Sequence, residues 1–95
     1  MPEMRFRIRW PDGAVESCYS PSLVIKDYLV PGESYAVADF LERSRAALEI
    51  GSERVRRKYG HPCSLALAQI ARIETGCERF GDHTRPVVCV EAFEE

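Results

Sequence analysis

The sequence predicts an α+β fold in which a small β-sheet is covered on one face by a helical hairpin. A two-residue alternation near the N-terminus, a three- and four-residue apolar period in the middle and a β-rich final segment predict it. We expect an N-terminal β-hairpin and a C-terminal strand to form the sheet, in the order ββ-(ββ)-αα-β with the bracketed hairpin optional. The 95 residues fit one domain spanning 1–95, because compact domains usually hold about 100–150 residues.

The first two strands are predicted by residues 5–19. Residues 5–10 alternate between arginine and large apolar side chains, a period typical of a half-buried strand with its aromatic and aliphatic side chains inward. Pro11-Asp12-Gly13 predicts a tight turn, because proline presets φ and glycine accepts positive φ. Ala14–Tyr19 then returns as the second strand, with Val15, Ser17 and Tyr19 on one face.

The segment from Leu23 to Glu33 is less regular. Leu23–Val30 is mostly apolar, and Val30-Pro31-Gly32-Glu33 predicts a type II turn with proline second and glycine third. A short second hairpin and an extended loop are both compatible with this pattern.

Two helices and a last strand follow. From Asp39 the apolar residues recur at helical spacing, with Gly60 as the C-terminal cap. Pro62 can occupy the first position of a second helix, whose apolar pattern continues to about Gly81. Within this helix, the residues at helical spacing are Leu65, Ala68, Ile70, Ala71, Ile73, Cys77 and Phe80. A loop at 81–86 leads to a β-rich strand at 87–93.

Composition and charge exclude several classes of protein. The net charge of −2 argues against a dedicated nucleic-acid binder, and no run of about 18 apolar residues exists to span a membrane. The N-terminus leads directly into a strand without the apolar run of a signal peptide, so we expect a cytoplasmic protein whose four cysteines are reduced. Because a chain of this size buries a modest core, we also expect a homodimer.

The basic residues have two interpretations. Arg5, Arg7 and Arg9 resemble an anion or nucleic-acid platform, but the alternation places the aromatic residues on the opposite face from them. We therefore predict a solvated sheet face on which Glu16 and Glu91 pair with the arginines. The basic run 54–58 is likewise explained by a helix C-terminus, where positive charge is favourable.

Four residues are candidates for metal binding or thiol chemistry. His61, Cys63, Cys77 and His83 are donors of the zinc-binding type, but they lack the Cys-x-x-Cys spacing, and we expect neither metal nor cofactor. Cys63 alone is predicted to lie in the first turn of a helix, close to His61. That position either lowers a thiol pKa, which would make Cys63 a nucleophile, or simply fills the corner of the helical hairpin.

The candidate site is the segment Cys18-Tyr19-Ser20-Pro21-Ser22-Leu23, where the hairpin ends and the chain leaves the sheet. A catalytic serine would need a base and an oxyanion hole, and no Gly-x-Ser-x-Gly turn is present. We predict no catalytic residue and instead a ligand or partner contact, at Tyr19, Ser20, Pro21, Ser22 and Cys63. The alternative is a turn whose hydroxyls bond to its own backbone.

Several blocks of the chain together resemble a known family. They are Met1–Phe6, Trp10–Gly13, Cys18–Leu23, Tyr28–Gly32, Ser52–Gly60 and Cys63–Ala68. These blocks resemble the small bacterial nitrogen starvation response proteins, which are encoded in nitrilase gene clusters beside a nitrilase, a radical SAM protein, an acetyltransferase and a flavin-dependent oxidoreductase.

The resemblance implies a pathway, the assimilation of nitrile or cyanide nitrogen under nitrogen limitation, and carries no catalytic residues. We therefore expect a non-enzymatic accessory protein that binds an enzyme encoded in the nitrilase cluster. Two alternatives remain: a small-molecule sensor or carrier with a pocket between the sheet and the helices near Tyr19 and Ser22, and a small thiol-dependent enzyme using Cys63.

Overall fold

The α+β prediction is confirmed by the fold. A computed structural model describes residues 3–80 and 86–95. In chain order the elements are β1 (Met4–Arg9), β2 (Val15–Ser20), a 3₁₀ helix (Leu23–Asp27), β3 (Ser34–Ala36), α1 (Val37–Tyr59), α2 (Ser64–Arg79) and β4 (Val87–Glu94). Among the described residues, no helix is both long and apolar enough to cross a membrane.

The four strands form one antiparallel sheet in the order β2-β1-β4-β3. The predicted first hairpin is confirmed, with Arg5 opposite Tyr19 and Arg9 opposite Val15. Its turn closes with a 2.8 Å hydrogen bond from Gly13 N–H to the Trp10 carbonyl, at a Gly13 φ of 91°. Strands β1 and β4 are interior, and β2 and β3 are the two edges of the sheet.

A bulge in β4 changes which side chains face the core. Ile8 lies opposite Val90 and Arg7 opposite Ala92, so Glu91 has no partner of its own. Val90 is therefore buried before the bulge and Phe93 packs on the core after it. The register shift explains why the inward positions of this strand are three apart there instead of two.

The predicted ion-paired arginine face is only partly as expected. Glu91 pairs with Arg9 at 2.8 Å and lies 3.7 Å from Arg7. The prediction for Glu16 is wrong, because Glu16 accepts a 3.1 Å hydrogen bond from the Trp10 indole N–H instead.

The segment after β2 does not form the second hairpin that the sequence left open. Leu23–Asp27 is a 3₁₀ helix, and Ile25 is fully buried. The predicted type II turn is confirmed, with a 3.1 Å bond from Glu33 N–H to the Val30 carbonyl and a Gly32 φ of 89°. A single short strand, β3, follows and pairs with β4.

Both helices begin at positions other than predicted. Helix α1 begins at Val37, two residues before Asp39, and ends as expected at Gly60, whose φ is 87°. Helix α2 begins at Ser64, so Pro62 lies outside it and Cys63 is its N-cap. The backbone N–H of Cys63 donates to the Ser52 hydroxyl of α1 at 3.2 Å, which holds the corner between the helices.

The helices cover one face of the sheet, and Trp10 is central to the contact. Its indole packs edge-on against Phe40 at 6.0 Å and stacks on Phe80 at 5.7 Å between ring centroids. Gly76 of α2 permits this approach, because a Cβ there would lie 2.5 Å from the indole. The hairpin and the helical pair are thereby packed as two layers.

Candidate functional site

The segment Ser20-Pro21-Ser22 lies in the interior. Ser20 and Ser22 are 0% and 2% exposed. The Ser20 hydroxyl donates to the Ser22 carbonyl at 2.7 Å, and the Ser22 hydroxyl accepts from Val24 N–H at 3.3 Å. Ser22 is thus the N-cap of the 3₁₀ helix. This geometry matches the alternative interpretation, a turn with hydroxyls bonded to its own backbone.

Helix α1 closes over this segment at Gly51. A Cβ on Gly51 would lie 2.9 Å from Pro21 Cγ and 3.0 Å from Ser22 Oγ. Such distances are shorter than normal Cβ contacts, so the backbone of α1 reaches the segment only because residue 51 has no side chain. Pro21 and Ser22 are therefore in direct van der Waals contact with a helix.

Tyr19, one residue earlier, has a different environment. Its backbone N–H donates to Gln69 Oε1 at 3.0 Å. Because β2 is an edge strand, this N–H points away from β1, and Gln69 of α2 takes the place of a neighbouring strand there. The side chain is half-buried and lies on the outer face.

The Tyr19 hydroxyl brings two predicted site residues together. It lies close enough to the Cys63 thiol and the Glu3 carboxylate for both groups to affect its pKa. Burial raises the pKa of Tyr19 above its usual range, and Cys63 and Glu3 raise it further because a phenolate beside them would be destabilised. Tyr19 and Cys63 thus meet at the surface, whereas Ser20 and Ser22 face the opposite side of the sheet.

His61 does not complete a catalytic pair with Cys63. It is exposed, and its Nδ1 lies 3.4 Å from the Pro62 carbonyl oxygen, with no hydrogen bond to Cys63 in the described chain. Nor do three potential metal ligands approach one another anywhere in 3–80 and 86–95. His83, the fourth candidate zinc ligand, lies outside the described residues.

Two cavities flank Tyr19 on the outer surface. Their volumes are about 290 Å³ and 170 Å³, and both are lined by Arg5, Tyr19 and Leu65. Leu65, at 62% exposed, is among the most exposed large apolar side chains of the described chain. An aromatic ring, an aliphatic side chain and a cation therefore share one surface.

Sequence reasoning missed Leu65, Ala68 and Gln69 as surface-site residues. It placed Leu65 and Ala68 on the core side of α2, but both are exposed, and the buried face carries Ala66 and Gln69 instead. The available signal was Gln69 itself, a polar residue one position before Ile70 in an otherwise apolar stretch. A buried glutamine needs a hydrogen-bond partner, and here that partner is the edge of the sheet.

Comparison with known proteins identifies the family of this chain. Residues 5–93 match the family described as nitrogen starvation-induced protein NitG. No curated protein and no solved structure matches the chain.

Proposed function

The chain belongs to the NitG family of nitrogen starvation-induced proteins, and we propose that it is a non-enzymatic accessory protein of nitrile- or cyanide-nitrogen assimilation. In this proposal it binds an enzyme of that pathway and regulates or helps assemble it in the cytoplasm of a bacterium. The nitrilase-cluster context that the sequence resemblance implies supports the choice of pathway.

One observation carries the contact role: a partly exposed, largely apolar surface at the end of β2 is formed by Tyr19, Cys63, Leu65 and Ala68. We call these four residues the Tyr19 surface. Tyrosine is enriched at protein interfaces because it combines a large contact area with a polar group. Leu65, 62% exposed, is the type of side chain that a partner would cover.

The predicted contact residues divide into two groups in this proposal. Tyr19 and Cys63 contact the partner directly. Ser20, Pro21 and Ser22, which are buried, hold the end of β2 in place through the 3₁₀ cap and Gly51. Because Ser20 and Ser22 are buried with their hydroxyls bonded to backbone groups, neither serves as an exposed nucleophile.

The test is a pull-down of the purified chain with each enzyme of the nitrilase cluster, followed by titration of any complex. Leu65→Ser and Tyr19→Ala should each weaken the complex at least tenfold, because buried interface anchors often contribute about 2 kcal/mol or more. Leu67→Ser is the matched control, since Leu67 lies on the same helix, is 47% exposed and does not line the cavities beside Tyr19.

Absence of any stable or activity-changing partner among the cluster enzymes would count against the proposal. So would a complex that is sensitive to Leu67→Ser and insensitive to Leu65→Ser.

We also propose that the chain forms a homodimer. Val15, on edge strand β2, is 47% exposed, as is Val87 on β4. A second copy would cover such apolar area. Sedimentation equilibrium should give twice the chain mass, and a monomer at every concentration would refute this part of the proposal.

A small-molecule sensor or carrier is the second candidate, favoured by the two cavities beside Tyr19. The pocket would be on the outer side of β2, because Ser22 is packed against Gly51. A third possibility, thiol chemistry at Cys63, requires that Cys63 be alkylated faster than free cysteine at neutral pH.

A further inference from the structure

The smaller cavity beside Tyr19 contains two arginines that form no ion pair with any described residue. It lies between the edge strand β2 and the first half of α2 and has a volume of about 170 Å³. We call it the arginine cavity; its lining residues are Arg5, Tyr19, Leu65, Ala68, Gln69 and Arg72.

Gln69 contributes a buried donor without an acceptor. The residue is 3% exposed, and its Nε2 has no hydrogen-bond partner among the described residues. The orientation of the amide is fixed, because its oxygen accepts the backbone N–H of Tyr19 at 3.0 Å. An unpaired buried donor is destabilising, so a ligand that accepts from it would recover free energy.

The two arginines are also without partners. Neither Arg5 nor Arg72 makes a hydrogen bond or an ion pair with any residue in 3–80 or 86–95. Arg9, by contrast, pairs with Glu91 at 2.8 Å, and Arg45 pairs with Glu74 at 3.0 Å. Burial raises the pKa of the Cys18 thiol, and the nearby positive charges of Arg72 and Arg5 both oppose that rise.

We propose that the arginine cavity binds a small monocarboxylate, with the two guanidinium groups and the Gln69 amide as donors. Guanidinium groups form paired hydrogen bonds with carboxylates. Leu65 and Ala68 supply an apolar wall for a short aliphatic chain. The cavity is smaller than the 300–1,000 Å³ that is typical of drug-sized ligands, which limits the acid to a few carbon atoms.

Several carboxylates surround the arginine cavity. Glu3, Glu94 and Glu95 line the adjacent cavity, which shares Arg5 and Tyr19 with this one. Glu16 lies beside Arg72 at the other end of the groove. These carboxylates weaken the attraction of the two arginines for any anion, so charge alone does not select the ligand. The apolar wall of Leu65 and Ala68 does, because an aliphatic monocarboxylate covers it and inorganic phosphate has no apolar group to do so.

The test uses the isolated chain and does not depend on the pathway enzyme. Butyrate binding can therefore fail while the accessory role stands, and the accessory role can fail while butyrate binds. ¹⁵N-labelled protein is titrated with butyrate, butyramide and inorganic phosphate. Butyrate should shift the side-chain NH₂ signals of Gln69 and the Tyr19 amide saturably. Butyramide, which lacks the charge, should bind at least tenfold more weakly, and phosphate should bind more weakly than butyrate.

Substitutions then locate the site. Arg5→Gln and Arg72→Gln should each weaken butyrate binding at least tenfold, and Gln69→Glu should abolish it while keeping an acceptor for the Tyr19 amide. Arg54→Gln is the matched control, because Arg54 also has no ion pair with a described residue but lines a cavity on α1 instead. Since Arg5 and Arg72 are exposed, their substitution leaves the fold intact, which circular dichroism verifies.

The proposal is overturned by a titration with no saturable shift at Gln69. Equal losses of butyrate affinity in Arg54→Gln and Arg72→Gln, or tighter binding of phosphate than of butyrate, would overturn it as well.

Discussion

Tyr19 and Ser20 are neighbours in sequence and occupy opposite environments. Tyr19 lies on the outer face of β2, beside two cavities and within reach of the Cys63 thiol. Ser20 is fully buried and bonded to the Ser22 carbonyl. The alternation of side chains along a strand separates them completely. Neighbouring polar residues at a strand end can therefore have different roles: Tyr19 lies at the surface, and Ser20 belongs to a buried cap.

Changes at the buried cap formed by Ser20, Pro21 and Ser22 have the larger expected effect on stability. Gly51→Val should lower the free energy of unfolding by roughly 2–3 kcal/mol, because the new side chain would overlap Pro21 and Ser22 and force the helix or the cap to move. Urea denaturation measures the loss. Ala46→Val is the matched control on the same helix, since Ala46 borders an open surface cavity.

Equal stability losses for Gly51→Val and Ala46→Val would mean that the cap and α1 are not packed as described.

A smaller effect is expected for the two serines of β2. Ser20→Ala should cost about 1–2 kcal/mol, because it removes the hydrogen bond that satisfies the buried Ser22 carbonyl. Ser17→Ala, at an exposed position of the same strand, should stay within about 0.5 kcal/mol of the parent chain. Urea denaturation of the two variants in parallel compares the faces of β2 directly, and equal effects would contradict the assignment of faces.

Ionisation of the buried thiols is expected to have the smallest effect on the free energy of unfolding at neutral pH. Burial raises the pKa of Cys18 far above its ordinary value of 9.0 and that of Cys77 to about 11. The folded state therefore retains thiol protons that the unfolded state releases. The stability from Cys77 is complete below pH 9 and is lost as the pH rises through about 11.

The check is the urea midpoint measured at intervals from neutral pH to pH 11. Cys18→Ala and Cys77→Ala should each flatten the alkaline decline, whatever their offset at neutral pH. Declines that run parallel in the parent chain and both variants would exclude the thiols as its cause.

Local signals predicted much of the fold. The alternation in residues 5–10 located the first hairpin, and Pro31-Gly32 and Gly60 located a turn and a helix end. Each of these depends on φ preferences or on one period, which act over a few residues.

Features that depend on tertiary contact were not predicted. The bulge at Glu91 is defined by the register of β4 against β1. The outward position of Leu65 follows from how α2 lies on β2, and residues 64–73 carry apolar side chains on more than one face. The sequence identified Tyr19 and Cys63 as site candidates, but only the fold places them close to each other and places Tyr19 beside Leu65 and Arg72.

The side-chain amide of Gln69 also affects how this protein behaves among its own copies. An edge strand with free backbone groups can accept a strand from another molecule and begin aggregation. Gln69 occupies the Tyr19 end of β2, so an incoming strand could add only toward Val15. Gln69 thus reduces the number of β2 backbone groups that are free to pair with another strand. The chain can therefore keep a contact surface at this end of β2 without exposing a full strand edge.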